Sequence, residues 1–483
     1  MARFQPVEAF HPAEDTLELL PFRFERTDGH YLVSNMVGDF IRLSSDELTR
    51  IVDLRVRPGD GLYEKAYAAH LINGAEQKAQ RQLLAFRVRS RLAFLRETTP
   101  LHIFVVTLRC EHSCPYCQVS RQSTDRSRFD MSKETARRAL DIAFESPARR
   151  IKIEFQGGEP LLNFALISTI VSAAKARAAT ADKKVDFVIA SNLALLDDAI
   201  LAFCKANDVL LSTSLDGPAD LHNKNRPRPG GNSYELATKG IRRAQAVLGP
   251  ERVGALMTTT EASLDRVEDI VDEYLRLNLD GIFLRPLSPY GFAVKTKAFR
   301  KYDATDWLTF YERGLKYILE INRCGRHFPE FYATLILKRM LTDRPLGYVD
   351  LRSPAGIGLG ALVYNYDGKV FASDEGRMLA EMGDKTFELG HVTDSYRSLV
   401  LSDKLIELIG SSLTQCAPEC ADCVFETHCG ADPVYHHATQ ADPIGIKPLS
   451  EFCARQKGVM RLLLRLLESS PQDAAILRRW GGM

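Results

Sequence analysis

The stretch LHIFVVTLRCEHSCPYCQVS, residues 101–120, joins an apolar run to a loop with three cysteines. The run 101–108 reads as a strand. Cys110, Cys114 and Cys117 stand at i, i+4 and i+7, one face of an ideal helix, but Pro115 among them removes a backbone donor and makes a loop the better reading. A loop at the end of a strand can wrap an iron-sulfur cluster, and three thiolates on a four-iron cubane leave one iron with an open coordination site. The alternative is zinc completed by His112 or a distant ligand. Zinc usually arrives as paired Cx2C units, and His112 would make an awkward Cys-x-His chelate.

Outward from this loop the pattern repeats. Strand-like runs follow at 151–155 (IKIEF), 185–191 (VDFVIAS), 210–216 (LLSTSLD), 253–260 (VGALMTTT) and 281–287 (GIFLRPL). Helical stretches are predicted near 132–147, 163–178, 196–206, 233–248, 264–278 and 304–322. Such β-α units in series predict an α/β fold with a parallel sheet, open or curled into a partial (β/α)6 TIM-like barrel. Both architectures place active sites at the C-terminal ends of the strands.

Three units are expected: a small α+β unit over 1–98, the barrel over 99–325, and a Cys-rich C-terminal unit over 326–483. In the first, Phe22, Phe24, Tyr31, Val33, Phe40 and Ile41 fall in strand-like runs around the turn Asp28-Gly29, Ser44 with Glu47 has capping-box spacing, and 60–98 reads as largely helical. In the last, a hairpin is predicted at Asp367-Gly368. The stretch 457–480, with Met460, Leu463, Leu464 and Leu467, reads as one amphipathic helix.

The chain has 483 residues, 45% of them hydrophobic, enough for a large core. A net charge of +1 gives no field for nucleic acid, and the basic run at 226–228 is too short to supply one. The start, with Glu8, Glu14 and Asp15, lacks the order of a secretion signal, and no apolar stretch approaches the roughly 18 residues of a membrane span. The expectation is a cytoplasmic protein with no membrane partner. In a reducing compartment, ten cysteines of which eight clump in short motifs point to metal or redox chemistry rather than disulfides. Cys204 and Cys324 lie in helical patterns and read as core residues.

The other predicted strand ends carry polar groups. After 151–155 comes Gly157-Gly158-Glu159-Pro160; two glycines let a ligand lie on the backbone, and Glu159 offers a carboxylate to an ammonium. Alone, such a pair is an ordinary βα turn. Ser191-Asn192 ends the third run, and the fourth ends in SLDGP with Ser214, Asp216 and Gly217, followed by Arg226.

As an ordered set, Cx3Cx2C, GGEP, Ser-Asn and SLDGP resemble the radical S-adenosylmethionine (SAM) enzymes, on a partial (β/α)6 barrel. The resemblance covers roughly 100–300. It implies that Cys110, Cys114 and Cys117 ligate a SAM-binding 4Fe-4S cluster, with SAM chelating the fourth iron. Tyr116 would lie near the adenine, and Gly157, Gly158 and Glu159 would hold the methionyl ammonium. Ser191, Asn192 and Ser214 would serve the ribose or carboxylate, and Arg226 the carboxylate. Asp216, Arg285 and Tyr290 are candidates to line the cavity, each with an equally good structural reading, so no catalytic acid or base is assigned.

Cys420, Cys423 and Cys429 in Cx2Cx5C, with Cys453 further on, resemble the second half of the auxiliary-cluster (SPASM) domain of peptide-modifying radical SAM enzymes. This implies one auxiliary 4Fe-4S cluster. Ser353 and Ser373 stand where first-half cysteines are expected, the cysteine expected after Cys429 is missing from GADP, and Cys416 is a spare thiol or alternative ligand. A structural zinc is the alternative here.

The segment LLPFRFERTDGHYLVSNMVGDFIRL (19–43), with CGADPVYHHATQADP (429–443), is similar to maturases of the His-Xaa-Ser system. The N-terminal unit resembles the winged-helix-like peptide-recognition modules of ribosomal peptide maturases, where a strand edge can add the substrate leader as an extra strand; a lid or scaffold that touches no substrate is the alternative. Implied partners are a peptide or small-protein substrate, a flavodoxin- or ferredoxin-type electron donor and a paired second radical SAM protein. The competing readings are an anaerobic sulfatase-maturase-like enzyme and a non-catalytic zinc or iron-sulfur binding module.

Overall fold

The structure, a computed structural model, describes residues 17–74, 78–344 and 351–483; the acidic start with Glu8, Glu14 and Asp15 lies outside them. The N-terminal unit contains β1 (Leu17–Leu19), β2 (Phe22–Thr27), β3 (His30–Asn35), β4 (Phe40–Leu43) and β5 (Ile72–Gly74). β2, β3 and β4 form an antiparallel sheet in that order, and β1 pairs with β5. Thr27 pairs with His30, leaving Asp28-Gly29 as a two-residue turn with Gly29 at φ 77°. The capping box forms as expected: Glu47 N donates to Ser44 Oγ at 3.1 Å and Ser44 N to Glu47 Oε2 at 2.7 Å.

The central sheet contains β6 (Leu101–Thr107), β7 (Arg150–Gly157), β8 (Lys184–Ala190), β9 (Val209–Ser214) and β10 (Val253–Leu256), all parallel and side by side in that order. Helices Lys133–Glu145, Phe164–Ala178, Asp198–Asn207 and Ser233–Leu248 return the chain between successive strands. Alternation decides the two faces. Phe104, Val106, Ile153, Phe155, Ile189 and Leu211 pack into the main core with the helices. Ile103 and Val105 pack on the opposite face. The fold is thus α/β with a mostly parallel sheet, as predicted.

The sixth run differs from expectation. Residues 281–287 form no strand; Ile282 makes an isolated parallel bridge with Glu330, donating to Pro329 O at 3.1 Å and accepting from Phe331 N at 2.7 Å, and Arg285 O accepts from Thr259 N at 2.8 Å. Pro286 removes a donor that a ladder needs. The sheet grows instead past β6, by β11 (Ala361–Tyr364) in parallel register and then β12 (Lys369–Phe371) and β13 (Glu388–His391) in antiparallel register. The hairpin at Asp367-Gly368 joins β11 to β12, with Gly368 at φ 88°.

Three further expectations are corrected. The C-terminal helix is two, Glu451–Ser469 and Pro471–Gly481, because Ser470 caps the second by accepting from Asp473 N, with Pro471 at its first position. Cys204 is buried as expected, but Cys324 caps the end of helix Ala304–Arg323 and is exposed. The 19-residue segment Pro160–Ala178 is long and apolar enough to qualify by composition as a membrane span. Leu166, Ile167, Ile170, Val171 and Ala174 are nevertheless buried in the core it shares with the sheet.

β6 and β11 are also joined by a side-chain bond, His102 Nδ1 to Tyr364 Oη at 2.9 Å. Burial of His102 lowers its pKa from 6.5 to about 3. A histidine kept neutral in the fold contributes stability above its unfolded pKa, and that contribution is lost as pH falls toward the folded value. Between pH 6.5 and about 4.5, cluster-free protein should therefore lose about 1.4 kcal/mol per pH unit through this group. Urea midpoints measured across that window should fall less steeply in His102→Gln; an unchanged slope would show that His102 does not titrate this way.

Candidate functional site at the strand ends

The three cysteines follow β6 in a half-buried loop, not a helix. Its stem is fixed by Arg109, whose guanidinium donates to Asp130 at 2.7 and 2.8 Å and to the Leu162 carbonyl at 2.9 Å. Beside it, Gly158 N donates to Thr107 O at 2.9 Å and Glu159 N to Arg109 O at 2.7 Å. A Cβ on Gly157 would lie 2.1 Å from Thr107 O, and one on Gly158 would lie 2.3 Å from Arg109 O. The contacts that require glycine are therefore with the stem of the cysteine loop. At the loop's far end Gly291, in a left-handed conformation at φ 59°, leaves no room for a Cβ, which would meet Cys117 O at 2.6 Å.

Glu159 binds three strand ends together. Its Oε1 accepts from Ser191 Oγ at 2.7 Å and Leu161 N at 2.9 Å, and its Oε2 from Asn192 N at 2.8 Å. Burial, with the nearby Glu111 charge, pushes its carboxyl up to about 8. Asn192 Nδ2 donates to Glu111 Oε1 at 2.8 Å. Cys110, Glu111 and His112 offer ligand atoms within 4.8 Å of one another. Both ring nitrogens of His112 are nevertheless engaged, Nε2 with Ser233 Oγ at 2.8 Å and Nδ1 with Asn192 Nδ2 at 3.0 Å. The imidazole is held as a hydrogen-bonding group, which disfavours it as a fourth ligand.

A second buried network starts from Asp216. Arg226 donates to both its oxygens, Nε to Oδ2 at 3.0 Å and Nη2 to Oδ1 at 3.1 Å, and Tyr116 donates its hydroxyl to the same carboxylate. The guanidinium lies 5.5 Å from the Tyr116 ring centroid. Burial raises the Asp216 carboxyl, but Arg226 and His222 outweigh it and hold the group below its ordinary value. Arg226, expected to meet the carboxylate of SAM, is thus committed to Asp216 and reaches the cysteine loop through Tyr116. Ser214 ends β9 half-buried, on the face opposite Leu211.

Cys420, Cys423 and Cys429 lie in a turn-rich loop, and Cys453 at the start of helix Glu451–Ser469 joins them. Burial, with Cys453 and Cys423 among its neighbours, pushes the Cys420 thiol up to about 11. Cys429 is pushed up by burial, then by Cys453, Cys423 and Cys420. Cys416 is exposed. Four thiols that act on one another, beside the Lys447 ammonium, fit a cluster of thiolate ligands. The two serines at expected cysteine positions have hydrogen-bonding roles: Ser373 accepts from Gly376 N at 3.0 Å as a helix cap, and Ser353 accepts from Thr414 N at 3.0 Å.

Sequence reasoning missed Asp130, Ser233 and Gly291, which hold the site from outside its motifs. Only Gly291 carried a signal, as a glycine just after Pro289-Tyr290.

This arrangement of thiols and strand ends is that of a radical SAM domain. Residues 104–285 match the radical SAM superfamily model, and the chain carries that domain. An uncharacterized protein of Methanocaldococcus jannaschii is 29% identical over 188 residues, 39% of this chain and 62% of the relative. The serine-type anaerobic sulfatase-maturating enzyme of Klebsiella aerogenes is 27% identical over 150 residues, 30% of this chain and 37% of the enzyme. The chain thus spans under two thirds of the length of each. Native anSMEcpe with bound AdoMet and Cp18Cys peptide superposes with a TM-score of 0.63 at 17% identity, over 79% of this chain and 99% of that one. Streptococcus suis SuiB bound to precursor peptide SuiA gives 0.52 at 13% identity, over 88% and 97%. At these identities the likeness is one of fold.

Arg226→Met should cost the cluster-free protein about 3–5 kcal/mol, because it leaves a carboxylate buried without its cation. Urea unfolding checks this; a loss under about 1 kcal/mol would mean that the Asp216 pair is not what holds Tyr116.

Proposed function

We propose that this chain is a radical SAM maturase of a ribosomally made peptide or small protein of the His-Xaa-Ser type, on which it installs a modification. The observation that carries the reading is the meeting of three half-buried thiols with the Gly157-Gly158-Glu159 and Ser191-Asn192 strand ends. Cys110, Cys114 and Cys117 would hold one 4Fe-4S cluster, and Cys420, Cys423, Cys429 and Cys453 an auxiliary one. When bound, the first supplies the electron that breaks a carbon–sulfur bond of SAM, freeing a 5′-deoxyadenosyl radical that takes a hydrogen from substrate.

The chain's own residues bind and orient. Gly157, Gly158 and Glu159 would receive the methionyl ammonium, Ser191, Asn192 and Ser214 the ribose or carboxylate, and Tyr116 the adenine, with Arg226 positioning Tyr116 through Asp216. The N-terminal sheet would bind the leader as an added strand at an edge; Phe24 on its edge strand β2 is 52% exposed, which offers such a strand an apolar contact. The enzyme would work in the cytoplasm with a flavodoxin- or ferredoxin-type donor and a paired second radical SAM protein. Sulfatase maturation is the second reading, favoured by the Klebsiella match. Ser353 and Ser373 at positions where cysteines are expected count against it.

Anaerobic reconstitution with iron and sulfide should give about eight irons per chain, and dithionite with SAM should give 5′-deoxyadenosine. Alanine at Cys110, Cys114 or Cys117 should abolish that product, and Cys453→Ala should lower iron to about four. His112→Gln should keep its iron. Fully loaded protein that makes no 5′-deoxyadenosine would overturn the reading.

A further inference from the structure

The face of the sheet opposite the helices and the C-terminal unit enclose a cavity of about 290 Å³. Ile103, Leu256, Phe283, Ile357 and Val434 give it apolar walls. Its charged lining is unbalanced: Glu154, Asp374, Glu375 and Asp432 stand against Arg285. We infer that this cavity receives a cationic side chain, lysine or arginine, of the substrate peptide, with Glu154 and Asp432 as its specificity-determining residues. That the ligand is the substrate rests on the maturase reading; the cation preference does not.

Arg285 and Glu375 each have an interaction partner, and two carboxyl groups, Glu154 and Asp432, are left without an ion pair among the described residues. Asp374 is paired, accepting from Arg377 Nε at 3.1 Å. Asp432 caps helix Pro433–Gln440 by accepting from Tyr435 N at 2.9 Å, and no ion pair reaches it among the described residues. Glu154 is the sharper case. It stands half-buried in the middle of β7 on the cavity wall, and its Oε1 accepts from Gln156 Nε2 at 2.8 Å. Its second oxygen carries no hydrogen bond and no ion pair among the described residues.

Burial, with Asp374 nearby, raises the Glu154 carboxyl, although Lys152 and Arg285 act against this. Burial and Glu375 raise Asp432 to about 7, with Lys447 opposing. Carboxylates perturbed in this direction are short of positive charge, which an entering ammonium or guanidinium would supply. A long cationic side chain also suits the walls, since its methylene stem can lie along apolar surface while the head reaches a carboxylate. No cysteine lines the cavity among the described residues, and Ser373, Ala431 and Pro433 form part of its wall.

The test is equilibrium binding to the full-length, cluster-loaded chain, in chelator, of N-acetyl-lysine amide and N-acetyl-arginine amide against N-acetyl-norleucine amide. At least one cationic amide should bind about tenfold or more tightly than norleucine amide, as expected for a hydrogen bond to a charged partner. Glu154→Gln and Asp432→Asn should each reduce that preference, the second being a variant that can still cap its helix. Equal binding of norleucine amide, or a preference unchanged in both variants, would overturn the inference. Because binding needs no turnover, protein that forms 5′-deoxyadenosine without a cation preference overturns the cavity alone. A preference intact in protein that never forms 5′-deoxyadenosine overturns the maturase reading alone.

Discussion

The close approach of two strand ends, Gly157-Gly158 against 107–109, is the constraint on which the rest of the site depends. With a Cβ on either glycine, the backbone atoms at 2.1 and 2.3 Å would have to separate, and the bond from Glu159 N to Arg109 O would go with them. That bond places the Glu159 carboxylate where Ser191 and Asn192 meet it, so β6, β7 and β8 are fastened at one point. Asp216, just past β9, then catches Tyr116 from the cysteine loop. Four strand ends converge on one loop through two buried carboxylates. Buried polar and ionisable groups are a poor source of stability, but a fully bonded network admits few alternative geometries. Here it sets where three thiols stand relative to the sheet.

The N- and C-terminal parts of the chain are not independent of this core. β11 extends the central sheet in register with β6, so the C-terminal unit is part of the wall that closes the cavity. The N-terminal sheet sits on the loop at 420–429: Arg23 pairs with Glu426 at 3.1 Å, and the Phe40 and His428 rings lie 4.9 Å apart. His428 Nε2 is 2.6 Å from Gly38 O, and a Cβ on Gly38 would strike that ring. A strand added to the N-terminal sheet would therefore be one contact away from the loop that carries Cys420, Cys423 and Cys429.

What was legible in the sequence was local. β6 to β10 were readable because each is a short apolar run between helical stretches, and the hairpin and capping box because their signals lie within a few residues. The extension of the sheet was not readable, since 361–364 pairs with 101–104 across most of the chain and nothing local specifies that partner. The sixth run failed on Pro286, whose missing donor outweighed its apolar character. In the site, the thiols, glycines and carboxylates were visible as residue types at spacings. Their partners were not: Arg226 looked available to a ligand until the fold turned it onto Asp216, and the three donors that meet Glu159 could not be read from its spacing.

The second face of the sheet follows from the same alternation. A parallel strand covered on both sides is normally apolar throughout, and β6, with Ile103 and Val105 on one face and Phe104 and Val106 on the other, obeys that rule. β7 does not: Ile151, Ile153 and Phe155 are buried, while Glu154 and Gln156 alternate with them toward the cavity. β9 repeats the pattern, with Leu211 in the core and Ser212 and Ser214 opposite. Packing alone would have favoured apolar residues at these positions, because a buried polar group without partners is costly. Their polarity is consistent with a face that borders ligand rather than core, and it separates the strands that build the fold from those that furnish its cavity.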